Sequence, residues 1–188
     1  MANAEKKLID FSHRPACAAD LPALKEIMAA SIALLQQDFL SADQIEASHE
    51  VMGLDTQLVE DGTYYMVFEG ETFVGCGGWS SRTTLFGADH SRGRDATMLD
   101  PGKDAARIRA MYTHPDHGRK GVGRYIMQLC ESKAADEGFK SFELMATLAG
   151  VPLYKACSYE PVEHRDVTAS SGVKVPMVRM YKETRHVA

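Results

Sequence analysis

Apolar and polar positions change their spacing twice along this chain. Leu24, Ile27, Met28, Ile32 and Leu35 recur every three or four residues, which is one face of a helix. Asp20 stands just before them, where a carboxylate can accept the helix's first free backbone N–H groups. Ser41 and Gln44 make a capping-box pair and predict a second helix carrying Ile45, Val51 and Met52. Residues 8–14 alternate weakly and predict a first strand. From Tyr64 to Phe68 the chain turns β-branched and aromatic, Glu69-Gly70-Glu71 reads as a turn, and Thr72 to Cys76 returns. That is a hairpin. Gly75, Gly77 and Gly78 beside Trp79 mark a strand against whose backbone something packs closely.

Residues 81–104 lose the pattern. Gly87, Gly93, Pro101 and Gly102 stand among charged side chains, so this stretch reads as a long loop, a length that in compact domains goes with function or disorder. The signal returns at Ala106–Thr113, a strand closed by His114-Pro115-Asp116. Gly118 to Gly123 is a glycine-rich turn, and a helix follows with Ile126, Leu129, Cys130 and Ala134 on one face and Gly138 at its end. Phe142 to Ala146 is a further strand, Leu153 and Tyr154 lie in a short helical piece, and Val173 to Tyr181 is a late strand. Helices first, then a sheet interrupted by helices, predict a mixed α/β (α+β) fold.

Composition narrows the class. A length of 188 residues, 45% hydrophobic, favours one globular domain over residues 1–188. Lys and Arg total 21 against 26 Asp and Glu, a net charge of −5, which argues against nucleic acid as a partner. No stretch approaches the roughly 18 apolar residues of a membrane helix, and no signal-peptide core follows Lys6 and Lys7. Cys17, Cys76, Cys130 and Cys157 contain no CxxC pair, so reduced thiols in a cytoplasmic protein are expected.

The chemistry concentrates in the strand, turn and helix across residues 106–137. Glycines let backbone approach a ligand, and a helix start offers unpaired N–H groups and a positive dipole end, which together suit a diphosphate. Arg119, Lys120 and Arg124 add positive charge there. A P-loop needs GxxxxGK[ST], which is absent, and a dinucleotide fingerprint needs a third glycine where Ile126 stands. The plain alternative is that Gly121 and Gly123 only turn the chain from strand to helix.

At these residues the sequence resembles the GNAT superfamily of N-acetyltransferases. Arg109 to Arg124 looks like its acetyl-CoA motif, with Gly121 and Gly123 matching and Gly118 standing at the usual Gln/Arg position, one place before Arg119. Val151 to Tyr159 resembles the family's FY-x-x-x-GF segment, with Ser158 for Gly and Tyr159 for Phe. Thr147 stands where many members carry an Asn near the pantetheine arm, and His13 to Leu21 resembles the family's first strand and helix start. The resemblance implies a central, mostly antiparallel twisted sheet flanked by helices, and acetyl transfer from acetyl-CoA to an amine acceptor without a covalent enzyme intermediate or a metal. It implies that Met111, Tyr112 and Thr113 splay from the neighbouring strand and offer backbone groups to pantetheine and thioester. It further implies that Arg119, Lys120, Gly121, Val122, Gly123 and Arg124 hold the pyrophosphate, and that Tyr154 protonates the leaving thiolate.

Other readings stand beside these. Tyr154 is otherwise a core-edge aromatic, and Cys130 and Cys157 are small core residues. His114 and His117 lack a third ligand for zinc. Arg107 and Arg109 share a strand face and reach either an acidic substrate group or an Asp partner. Glu143, Asp89, Glu160, His90 and water are unranked as the base, and residues 81–104 with Trp79 and Arg82 are expected on the acceptor side. A non-catalytic CoA-binding module and a nucleotide-binding protein remain as competing classes. Oligomeric state stays open, although late edge strands of this fold often pair into homodimers across the family.

Overall fold

The computed structural model describes residues 10–89 and 95–184. It contains seven strands, β1 (Phe11–Pro15), β2 (Tyr64–Glu69), β3 (Thr72–Ser80), β4 (Ala106–Thr113), β5 (Ser141–Thr147), β6 (Glu160–Thr168) and β7 (Lys174–Glu183). Five α-helices join them: α1 (Leu21–Leu35), α2 (Ala42–Val51), α3 (Thr56–Glu60), α4 (Val122–Asp136) and α5 (Val151–Ala156). The strands form one sheet in the order β1-β2-β3-β4-β5-β7-β6. Every neighbouring pair is antiparallel except β4 and β5.

Alternation along β2 explains the layering. Tyr64 and Met66 turn to one face, where Leu24, Ile27, Met28 and Ile32 of α1 cover them. Tyr65 and Val67 turn to the other, against Ile126, Met127 and Cys130 of α4. A strand buried on both faces reads as a continuous apolar run. The glycines of β3 admit α4: a Cβ on Gly75 would lie 2.6 Å from Val122 Cγ1, and one on Gly77 would lie 2.6 Å from Ile126 Cγ2. At the far end of α4, Gly138 adopts φ +92°, and the Phe139 N–H reaches back to the Ala134 carbonyl at 3.1 Å, closing a Schellman turn.

Several expectations change. Asp20 does not cap α1: a 3-10 turn (Ala18–Asp20) precedes the helix, Asp20 itself has helical φ and ψ, and Pro22 lacks an N–H. Its carboxylate instead accepts both Arg14 guanidinium nitrogens at 2.7 Å and the Cys17 N–H at 2.8 Å. The Arg14 guanidinium holds that carboxyl well below the usual carboxylate range. Two elements escape the pattern, α3 because five residues cannot show a helical period, and β6 because nearly every one of its side chains is exposed. Residues 81–104 are not a featureless loop. Thr83 N–H bonds to the Thr97 carbonyl at 2.9 Å and Leu99 N–H to Ser81 at 2.7 Å, so the two described limbs pair while Ala88 and Leu99 are buried. His90 and Gly93 lie outside the described residues.

Candidate active site

The site begins with a defect in β4. Cys76 faces Tyr112 and Gly78 faces Arg109, so Ala110 and Met111 share the one position opposite Gly77. This is a β-bulge, and Ala110 takes φ +52°, a left-handed conformation that costs a residue with a Cβ. Pairing with β5 stops before it: only Ala106 with Phe142 and Arg107 with Glu143 are in register. Beyond the bulge the strands part. His114 N–H bonds to the Val74 carbonyl at 2.9 Å, so Thr113, one residue back, turns its backbone groups to the side that β5 has left.

The gap is one side of a cleft of about 650 Å³. Met111, Tyr112 and Thr113 line it, as do Arg119, Gly121, Val122, Gly123, Arg124 and Tyr154. Lys120 is exposed and is not part of that lining. Gly121 precedes α4 at φ +97°, and the helix's first backbone bond runs from Tyr125 N–H to the Gly121 carbonyl at 3.0 Å. The N–H groups of Val122, Gly123 and Arg124 precede that ladder, which leaves donors at the cleft wall. Gly123 has a packing reason as well, since a Cβ there would lie 2.7 Å from Leu153 Cδ2 of α5. Thr147 Oγ1 accepts the Gly150 N–H at 3.2 Å and so tethers the turn into α5. Tyr154 on α5 is buried, and burial pushes its hydroxyl well above the ordinary tyrosine range, so it remains a proton donor at neutral pH.

The rest of the lining includes residues that the sequence pattern did not single out for chemistry. Ile32, Leu35, Gln36, Asp38, Phe39 and Met52 are among them. Phe39, at 45% exposure beside a carboxylate, is the one local signal in the sequence: a large apolar side chain past a helix end with no core to join. None of the described residues of 81–104 lines this cleft. Trp79 is buried, edge-on to Phe139 at 6.0 Å, and Arg82 pairs with Asp61 at 2.7 Å. Arg82, Thr84, Asp89 and Ala96 line a separate recess of about 440 Å³ together with Thr56 and Arg109.

The remaining candidates sort by their partners. Glu143 is held between Arg107 and Arg179, and Asp89 accepts the Thr56 N–H at 2.9 Å outside the cleft. Glu160 is exposed at the start of β6 and does not line the cleft, and His90 lies outside the described residues. Arg109 is buried with Asp55 at 2.6 Å, so it and Arg107 hold carboxylates of the chain itself. His114 Nδ1 accepts the Asp116 N–H, while His117 pairs with Glu69 at 3.1 Å. Burial pushes the Cys76 thiol up to about 12 and raises Cys130 as well, which leaves both unreactive as nucleophiles.

Comparison with known proteins agrees with this geometry. The family model described as acetyltransferase (GNAT) matches residues 29–159. The chain belongs to the GNAT acetyltransferase family. Membership makes it an enzyme, an N-acetyltransferase. Solved structures share the GNAT fold at low identity. A GCN5-related N-acetyltransferase from Rhodopseudomonas palustris is 19% identical, with a TM-score of 0.68 over 92% of this chain and 94% of that one. The ribosomal-protein-S18-alanine N-acetyltransferase of Escherichia coli is 13% identical, TM-score 0.57, over 95% and 97%. YncA of Salmonella typhimurium, solved with its cofactor acetyl-CoA, is 16% identical, TM-score 0.60, over 95% and 96%. No curated protein matches the sequence of this GNAT chain. Among the described residues, no helix is long and apolar enough to cross a membrane.

Proposed function

We propose that this enzyme moves an acetyl group from acetyl-CoA to a primary amine, on a small molecule or a peptide amino group, by direct attack in a ternary complex. The observation that carries the reading is the parting of β4 from β5 ahead of the bulge, which opens one cleft to the glycine turn, to Met111 to Thr113 where β5 no longer pairs, and to Tyr154. The residues fit the cosubstrate. The N–H groups opening α4, with Arg119 and Arg124, suit a diphosphate, and the unpaired edge of β4 suits an amide-bearing arm. Bound acetyl-CoA supplies the thioester carbon that the amine attacks. A backbone N–H of the bulged strand donates to the carbonyl oxygen as charge gathers there. Tyr154, kept neutral by burial, gives its proton to the departing sulfur.

The acceptor enters along the wall of Ile32, Leu35, Phe39 and Met52, with the Asp38 carboxylate drawing in its ammonium group. An apolar body beside one carboxylate favours an amine on a hydrophobic carrier. Its proton leaves to water in the open cleft before attack. The whole chain works as one such domain, and its four free cysteines suit the cytoplasm. A panel of amines assayed by thiol release from acetyl-CoA, alongside calorimetry with acetyl-CoA, tests the reading. Amine-dependent release, strongest with hydrophobic amines, is the expected result. Tight binding with no release from any amine would instead identify a CoA-binding module.

A further inference from the structure

The bulge in β4 needs something to hold it. Ala110 at φ +52° has no glycine freedom, and neither Ala110 nor Met111 has a register partner on β3. That peptide is fixed from outside the strand. The hydroxyl of Tyr64, on β2, donates to the Ala110 carbonyl at 2.8 Å and lies 3.2 Å from Cys76 Sγ. Tyr64 is fully buried between α1 and the sheet, and its hydroxyl is pushed well above the usual tyrosine range by that burial, so it stays a donor.

One trans peptide unit carries both the Ala110 carbonyl and the Met111 N–H, and the two point in opposite directions. Fixing the carbonyl toward Tyr64 therefore fixes the N–H away from it. Met111 lines the cleft and Tyr64 does not. We propose that Tyr64 is a positioning residue: its hydroxyl latches the Ala110–Met111 peptide so that the Met111 N–H is the donor presented to the thioester carbonyl. The inference rests on the acetyl-transfer reading, and it assigns a role to a core tyrosine that touches neither acetyl-CoA nor acceptor. The hydroxyl acts on the direction of one hydrogen bond, so its loss weakens carbonyl polarisation more than it weakens binding of the CoA body, whose diphosphate loop lies on α4.

The test compares Tyr64→Phe with Cys76→Ala in the full chain. Both disturb the same buried contact, but only the first removes the bond to Ala110. Tyr64→Phe is expected to lower kcat by about 10- to 100-fold, a fraction of what deleting an oxyanion donor does, with the calorimetric Kd for CoA changed by less than about twofold. Both variants are expected to lower Tm by a similar amount, and Cys76→Ala is expected to retain kcat. Infrared spectra of isotope-labelled acetyl-CoA bound without acceptor give a readout that needs no turnover. The thioester carbonyl band should lie below its free position in the wild type and return toward it in Tyr64→Phe. A carbonyl band at the same place in both proteins overturns the latch, as does an equal loss of kcat in the two variants. If the band is shifted in the wild type and returns in Tyr64→Phe, yet no amine is acetylated, the transfer reading fails while the latch stands.

Discussion

Between Ala106 and Arg109, β4 pairs with β5 at Ala106 and Arg107 and with β3 from Arg107 onward, and its arginines are neutralised in place, Arg107 by Glu143 and Arg109 by Asp55. Between Ala110 and Thr113 the same strand bulges, loses β5 and lines a cleft. Eight consecutive residues thus hold a closed half and an open half. The difference lies in what surrounds each. The closed half has carboxylates within reach on neighbouring elements, so burial of charge is compensated. The open half leaves backbone groups without a partner on the β5 side, which is tolerable only where a ligand or water satisfies them. A rigid half beside an unsatisfied half is how a sheet can present main-chain groups to a substrate without losing its register.

The comparison can be broken most severely at the open half. Tyr154→Phe should lower kcat by about 10²- to 10⁴-fold while acetyl-CoA affinity holds within about twofold, measured by thiol release and calorimetry. Unchanged kcat would remove Tyr154 from the chemistry. Its raised ionisation sets the pH profile as well. The neutral, donating form persists into alkali, so kcat/KM should climb as the amine deprotonates and show no fall from Tyr154 up to about pH 10. A falling limb near neutrality would place a different acid in the cleft.

Breaking the closed half should act on stability and spare chemistry. Asp55→Asn leaves Arg109 buried without its counter-charge and should cost about 3–5 kcal/mol by denaturant titration, with kcat per folded molecule retained. Loss of kcat without loss of stability would mean that the two halves are coupled.

Smaller effects sharpen the boundary of the open half. Gly121→Ala forces a Cβ into φ +97° and should weaken acetyl-CoA binding about tenfold, corresponding to roughly 1–2 kcal/mol, as read by calorimetry. Lys120→Ala should change that affinity by less than about twofold, since an exposed charge outside the cleft lining is screened by water. Equal effects at Lys120 and Arg119 would show that charge near the turn matters and not its direction.

Local rules carried much of the layout. The continuous apolar run of β2, the Ser41–Gln44 cap, the Gly70 turn and the strand, turn and helix around Gly121 are each decided within a few residues, by β-propensity, capping and the φ that only glycine adopts without strain. The resemblance that points to acetyl transfer rests on that same local stretch. Where the preference is not local, the sequence misleads or falls silent. Asp20 looks like a cap but is claimed by Arg14, β6 is exposed along nearly its whole length and becomes a strand because β7 offers a register, and the described limbs of 81–104 pair with each other and do not line the cleft. Neither Asp38 and Phe39 sharing a cleft with Tyr154 nor Tyr64 bonding to Ala110 can be read from spacing, because their partners lie 46 to more than 100 positions away in the chain. Sequence settled which residues could build a diphosphate turn and a proton donor. The tertiary structure decided which of them share one cleft, because that depends on where β4 and β5 part, and their pairing ends at Arg107 and Glu143, contacts between segments far apart in the chain.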